Sequence, residues 1–279
     1  MANIRIIYND LAAGASISAS NNASQNYTGA SLKTNTKSLA HRSANTSVVY
    51  TLTWTTDQTI NGVVLPATNL SSASTILVVA KNSAGTSVYT SGTINACTNT
   101  PLDGFNGVKD VNSFPYGGLS KTAVWFSSTP TTVRSLEITL TRGTNPSADP
   151  AYPSYIDCSR IICGKYWEPQ FGVDKGNLNL TISDTTTTSR TDSGDLVADR
   201  GTIHDELKFN FGLLTKSDKE ELVKILKSVG TYKNIAISLF PDNNSRDEQD
   251  YIIYGKRETS SIDYLVHNFY SHSFSVIGW

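Results

Sequence analysis

The chain has 279 residues, with 38% hydrophobic, 17% charged and a formal net charge of −1. That length supports one large domain or two of ordinary size. A near-neutral chain has no general electrostatic pull toward nucleic acid, and its wealth of Thr, Ser and Asn, with few strong helix formers, argues against a helical protein.

The charge is unevenly spread. Residues 1–166 carry 11 Lys and Arg against 7 Asp and Glu, and residues 167–279 carry 12 against 17. This asymmetry supports a domain boundary near residue 166; it reads first as two ordinary domains with modest opposite charges, largely screened, and second as a bias toward head-to-tail association. Cys97, Cys158 and Cys163 are odd in number, and the last two point to opposite faces of an extended segment, so buried thiols in a reducing compartment are expected. The opening MANIRIIYND lacks the apolar core of a signal peptide, and no stretch reaches the ~18 apolar residues of a membrane span. No membrane insertion is expected.

In chain order, IRIIY (4–8) reads as a strand and is followed by a polar stretch from Ser16 to Thr36. Further strands are SVVYTLTW (47–54), INGVVLP (60–66), TILVVAK (75–81), TSVYTSG (86–92), TAVWFS (122–127), VRSLEITLT (133–141) and SRIICGKYW (159–167). Leu136, Ile138 and Leu140 alternate with polar neighbours, as in a sheet with one wet face, whereas the continuous run Val63–Leu65 suits a strand covered on both sides. Short strands with no helical period between them indicate a β-sandwich or jelly roll. The segment TNPSADPAYPS (144–154), with three prolines, is a loop at one end of it.

The second half has strands at NLNLTIS (177–183), ELKFNFG (206–212), NIAISLF (234–240), DYIIYGK (250–256) and HNFYSHSFSVIGW (267–279), and one helix. Ser217 and Glu220 fit a capping box, Leu222, Val223, Ile225, Leu226 and Val229 follow at helical spacing, and Gly230 closes the end. The run DTTTTSR (184–190) reads as a hairpin tip or loop that becomes ordered inside an assembly. The fold class is therefore all-β, with a jelly-roll sandwich at 1–166 and a β-barrel or sandwich carrying one helix at 167–279.

No phosphate-binding glycine loop, HExxH, Cys-x-x-Cys or G-x-S-x-G motif is present. No carboxylate pair for glycoside cleavage stands out either, so no catalytic residue, metal or cofactor is expected. His267 and His272 fall on opposite faces of a strand. The turn PDNNSRDEQD (241–250) lacks the central Gly and final Glu of a calcium loop and reads as a solvated connection. Phe105, Phe114, Tyr116, Trp125, Tyr152 and Tyr155 fall in or beside loops of the first half. There they suit either sugar rings or the packing of a core or neighbouring subunit.

Two segments, INGVVLPATNLSSASTILVVAKNSAGTSVYTSG (60–92) and YIDCSRIICGKYWEP (155–169), resemble a galactose-binding-type jelly roll of long-tailed bacteriophage tail proteins. The exit Gly164–Pro169 is the most distinctive piece. The remainder is similar to the helix-bearing β domain that joins tail rings in distal or minor tail proteins. The resemblance implies a structural part of the virion tail tip or baseplate, made in the host cytoplasm and forming a symmetric homo-oligomer. Its partners would be other tail proteins: tail tube, hub and tape measure. The alternative it implies is a carbohydrate-binding module for host-surface glycans, with His41, Arg42, Phe114 and Tyr116 as ligand-binding candidates.

Overall fold

The structure is a computed structural model that describes residues 3–70, 73–97, 121–143, 154–242, 246–258, 261–266 and 269–279. In chain order the strands of the first half are β1 (Arg5–Ile7), β2 (Ser16–Ala19), β3 (His41–Arg42), β4 (Ser47–Thr68), β5 (Thr75–Lys81), β6 (Ser87–Asn95), β7 (Lys121–Thr141), β8 (Asp157–Cys158) and β9 (Ile162–Gly164). There follow β10 (Tyr166–Trp167), β11 (Asp174–Asp184), β12 (Thr187–Arg190), β13 (Leu196–Asp199), β14 (Ile203–Leu214), helix α1 (Lys216–Val229) and β15 (Asn234–Ser238). The chain ends on helix α2 (Arg246–Asp250), β16 (Ile252–Arg257), β17 (Ile262–Val266) and β18 (Phe269–Gly278). The all-β expectation holds.

The first sheet runs β3-β8-β4-β7-β5-β6, with β2 and β9 also paired to β4. Four of the expected strands are two long ones. The polar stretches between them, near residues 55–58 and 128–132, face each other across the β4–β7 ribbon and are absorbed as register shifts at Thr53/Gln58 and Ile60/Gly62. Such bulges bend a ribbon, so the two ends of β4 and β7 enclose one core. Val48, Tyr50, Leu52, Val63, Leu65, Ile76, Val78, Trp125, Leu136, Ile138 and Leu140 all fill it. All three cysteines are buried, and burial pushes the Cys158 thiol up to about 12.

The second sheet runs β10-β1-β15-β16-β18-β14-β11, with β17 paired to β18. Phe209, Phe211, Phe274 and Val276 line its inner face and α1 lies over them through Leu222, Ile225 and Val229. The N-terminal cap of α1 differs from the expected Ser217–Glu220 box. Thr215 Oγ1 accepts from the Asp218 amide at 3.2 Å and donates to the Asp218 carboxylate at 2.7 Å, so the same device sits two residues earlier. Gly230 ends the helix at φ +58° as expected. The acidic turn holds a second, short helix, α2, rather than a loop alone; buried Glu248 turns its carboxylate inward to accept from the Asp242 amide at 3.3 Å.

The first strand is the chief surprise of the topology. β1 pairs with β10 and β15, so it belongs to the second sheet and not to the jelly roll that surrounds it in sequence. Likewise the expected single strand 159–167 splits: β9 pairs with β4 and β10 with β1. The chain changes sheets at Lys165.

Between the sheets lies a third apolar cluster of Ile7, Val64, Ile162, Tyr166, Ala236 and Tyr254. Val64 therefore faces this seam while Val63 and Leu65 face the first core, which explains the uninterrupted apolar run. The exit Gly164–Pro169 crosses the seam. A Cβ on Gly164 would lie 2.4 Å from the Asn9 carbonyl oxygen, Tyr166 takes the Asn61 side chain at 2.9 Å, and Trp167 packs on Phe211. Buried Arg5 stacks on Phe126 and Tyr166 and pairs with Glu168 at 3.3 Å and Asp242 at 2.6 Å. No helix among the described residues is long and apolar enough to cross a membrane.

Candidate functional site

At one end of the first sheet β3 pairs with β8, setting His41 opposite Cys158 and Arg42 opposite Asp157. Successive residues of a strand face opposite ways, so the two candidates part company. His41 is fully buried. Its Nδ1 lies 3.0 Å from the Tyr50 hydroxyl and its Nε2 3.1 Å from the Asn21 carbonyl; the tautomer in which Tyr50 donates to Nδ1 and Nε2–H donates to Asn21 satisfies both. Burial lowers its pKa. His41 is thus a core residue that anchors the loop at Asn21.

Arg42 turns outward. Its Nε and Nη2 each donate to the Asp157 carboxylate at 2.8 Å, a two-point pairing that fixes the guanidinium plane. Asp157 is buried, and the hydrogen bond to it raises the Arg42 pKa. The guanidinium sits 4.1 Å from the ring centroid of Tyr155 and 5.5 Å from that of Tyr27, which is 36% exposed. Among the described residues no acceptor engages Arg42 Nη1. Behind this cluster, Asn69 Oδ1 accepts from the Asp157 amide at 2.9 Å, and Arg142 binds the Asn69 and Tyr155 carbonyls. The result is a cation fixed by a carboxylate beside two phenol rings with a quarter of its side chain exposed, suited to hydroxyl or carboxylate groups on a flat ligand.

Phe114 and Tyr116, with Phe105, Tyr152 and His267, lie outside the described residues. Trp125 is a core residue beside Tyr89. Tyr27 and Asp157 carry no sequence signal of their own; the pairing of β3 with β8 brings Asp157 to Arg42, and the loop whose Ala23 amide donates to the Arg42 carbonyl at 2.8 Å carries Tyr27. His272 is buried between Phe211 and Phe274. Among the described residues no group of three His, Cys, Asp or Glu could hold a metal.

A second feature leaves the body of the protein. Beyond Asp184 and Ile203, where the β11–β14 ladder ends, the chain continues as the hairpin β12–β13. The Thr run therefore leads into a strand, with Thr187 and Thr188 in β12, and the tip lies further on at Thr191–Asp195, where Gly194 takes φ +87° and Arg190 Nη1 donates to its carbonyl at 2.8 Å. The joint is tight: a Cβ on Gly201 would lie 2.3 Å from the Thr185 carbonyl carbon.

Every residue from 187 to 200 is exposed. Leu196 and Val197, neighbours that face opposite sides of the strand, are 65% and 49% exposed; Ile182 at the base is 70% exposed. Among the described residues nothing covers either face of this arm, and β12 and β13 pair with each other alone. Seven residues from Asp184 to Thr191 reach roughly 23 Å at about 3.3 Å each.

No family model matches the chain, and no curated protein matches it. Among solved structures it is similar to a GH29 fucosidase of Ruminococcus gnavus, at 12% identity and a TM-score of 0.38, over 57% of this chain and only 27% of the fucosidase. It is similar to chitosan-binding module 1 of a Paenibacillus sp. IK-5 chitosanase/glucanase at 15% identity and TM-score 0.37, over 56% of this chain and 99% of the module. A fucose-binding module of Streptococcus pneumoniae gives 8% identity and TM-score 0.37, over 57% of this chain and 99% of the module. At these scores none of the likenesses assigns a ligand.

Proposed function

We propose that this chain is a structural assembly protein, a tail-tip component of a long-tailed bacteriophage, that builds a symmetric ring from copies of itself. The observation that carries the reading is the arm at 184–203. An isolated two-stranded hairpin is at best marginally stable in water, and this one exposes Leu196 and Val197 on opposite faces. A hairpin of that kind is stabilised when a neighbouring molecule covers it. The two units, 1–166 and 167–279 with β1 contributed to the second, divide the work: the second joins copies and the first is carried at the periphery. Light scattering of the purified chain and electron microscopy of the particle test the reading. Closed oligomers and density for this chain at a tail tip are expected; a protein that is monomeric at every concentration and absent from virions overturns it.

A second reading has its own observation, the Arg42 cation held beside Tyr27 and Tyr155. It favours the first unit as a carbohydrate-binding module carried on that assembly. Sugar C–H faces stack on exposed aromatic rings while hydroxyls accept from the guanidinium. Binding on an array of host-surface glycans, lost in Tyr27→Ala, is the expected result. No binding at millimolar sugar removes this reading.

A further inference from the structure

We infer that the two sheets are a hinged pair: they swing about the chain crossings at Asn9 and Lys165, and the loop 34–37 with Trp279 is the latch that holds the seam shut. Among the described residues the chain passes between the units twice, after β1 and after β9. The two crossings lie side by side. The Asn9 carbonyl oxygen abuts Gly164, and the Asp10 carboxylate accepts from the Cys163 amide at 3.3 Å and from Arg160 at 2.5 Å. Adjacent crossings define one axis, and residues 8–10 and Lys165, outside the strands, are the few positions where a hinge absorbs its backbone rotation.

The latch lies at the other end of the seam. Across the second sheet Tyr166, Ile7, Ala236 and Tyr254 are successive cross-strand partners, and the Trp279 amide donates to the Tyr254 carbonyl at 2.8 Å. Val64 and Ile162 of the first unit pack against this row. At about 4.8 Å per strand it runs roughly 19 Å from Tyr166 at the axis to Trp279, so a contact at Trp279 has the longest lever arm. There the first unit reaches over. Asn35 accepts through its carbonyl oxygen from Trp279 Nε1 at 2.6 Å and through Oδ1 from the Tyr254 hydroxyl at 2.7 Å. Lys37 Nζ donates to the Trp279 carbonyl at 3.0 Å and lies 5.9 Å from its ring centroid. Just upstream the loop is tied to its own unit, where the Leu32 carbonyl accepts from the Ile161 amide and the Lys33 carbonyl from Arg160.

The latch is built to release. Asn35 is exposed, so water competes for its bonds. The seam cluster holds six buried residues among those described, against 26 and 16 in the two cores, which makes it the layer that gives way first. The contacts of Tyr166 with Asn61 and Ser127, and of Arg5 with Phe126, sit near the axis, where a swing moves them least.

The test puts nitroxide labels on the full chain at Ala84→Cys and Lys227→Cys, exposed positions on different units; the natural cysteines are buried and react slowly. Pulsed dipolar spectroscopy reads the distance between the units. The chain with its latch is expected to give one narrow distribution. Adding Lys37→Ala with Trp279→Ala should produce a second, longer population while far-UV circular dichroism is unchanged. Lys37→Ala alone should populate it less, and Lys37→Arg, which keeps the cation, should return the single distribution. A double variant that stays single and narrow overturns the inference. So does one in which both sheets lose their circular dichroism together, because seam and cores would then form one cooperative layer.

Discussion

Ile6 and Trp167 are cross-strand partners in the second sheet, Ile6 fully buried and Trp167 8% exposed. Ile6 also pairs with Ile237 on its other side, so β1 is an inner strand of a sheet otherwise made from the second half of the chain. Residues 167–279 alone are therefore expected not to fold, and to recover native circular dichroism when residues 3–10 are fused through a linker. Ile6→Ala should cost about 2–5 kcal/mol in denaturant unfolding, as for other buried large-to-small changes.

The Arg42–Asp157 pair separates fold from binding. Arg42→Ala leaves a buried carboxylate without its cation and should cost about 3 kcal/mol. The double change Arg42→Met with Asp157→Leu should restore most of that stability, because an apolar pair replaces a desolvated ionic one. Tyr27→Ala, at an exposed rim, should change stability by less than about 0.5 kcal/mol. Chemical denaturation of the four proteins checks the set.

Acid should weaken the fold through its buried histidines. Burial lowers the pKa of His41 and of His272, whereas the unfolded chain titrates near the ordinary value of about 6.5. Below that pH the unfolded state binds more protons than the native state, so stability present above it falls as the pH drops. Each histidine adds up to about 1.4 kcal/mol per pH unit to that slope. His41→Gln should flatten the dependence between pH 7 and 5.5. Asp10 acts in the opposite sense at lower pH, since burial raises its carboxyl pKa despite Arg160 nearby, which is why the window stops there.

Proteolysis should report on the arm. Trypsin is expected to cut the free chain first after Arg190 and Arg200, both fully outside the packed body, without lowering the midpoint of the remaining core. In the oligomer the same bonds should be protected. Mass spectrometry of timed digests reads both outcomes.

Much of this was legible in the residues. The alternation in Leu136–Leu140 and the apolar run at Val63–Leu65 mark strands whose faces are where the pattern puts them. Helix α1 was legible too, with its cap displaced to Thr215, whose hydroxyl bonds Asp218. The destination of β1 was not, since IRIIY has the same strand pattern whichever sheet receives it. His41 and Arg42 looked alike as loop candidates; their opposite fates follow from the two-residue bridge to β8, a pairing between distant segments. The arm was only half visible, as a Thr-rich stretch, because its partner strand Leu196–Asp199 is short and shows no buried face.

The placement of β1 has a consequence for synthesis. Its partner β15 ends at Ser238, and at roughly 5–20 residues per second on the ribosome the wait after Ile7 emerges is on the order of 10–50 s. Ile4, Ile6 and Ile7, all buried in the finished molecule, are without their final cover for that interval. Slower, cooler expression and chaperone supply should therefore raise the soluble yield of this chain more than they would for one whose sheets close in order of translation.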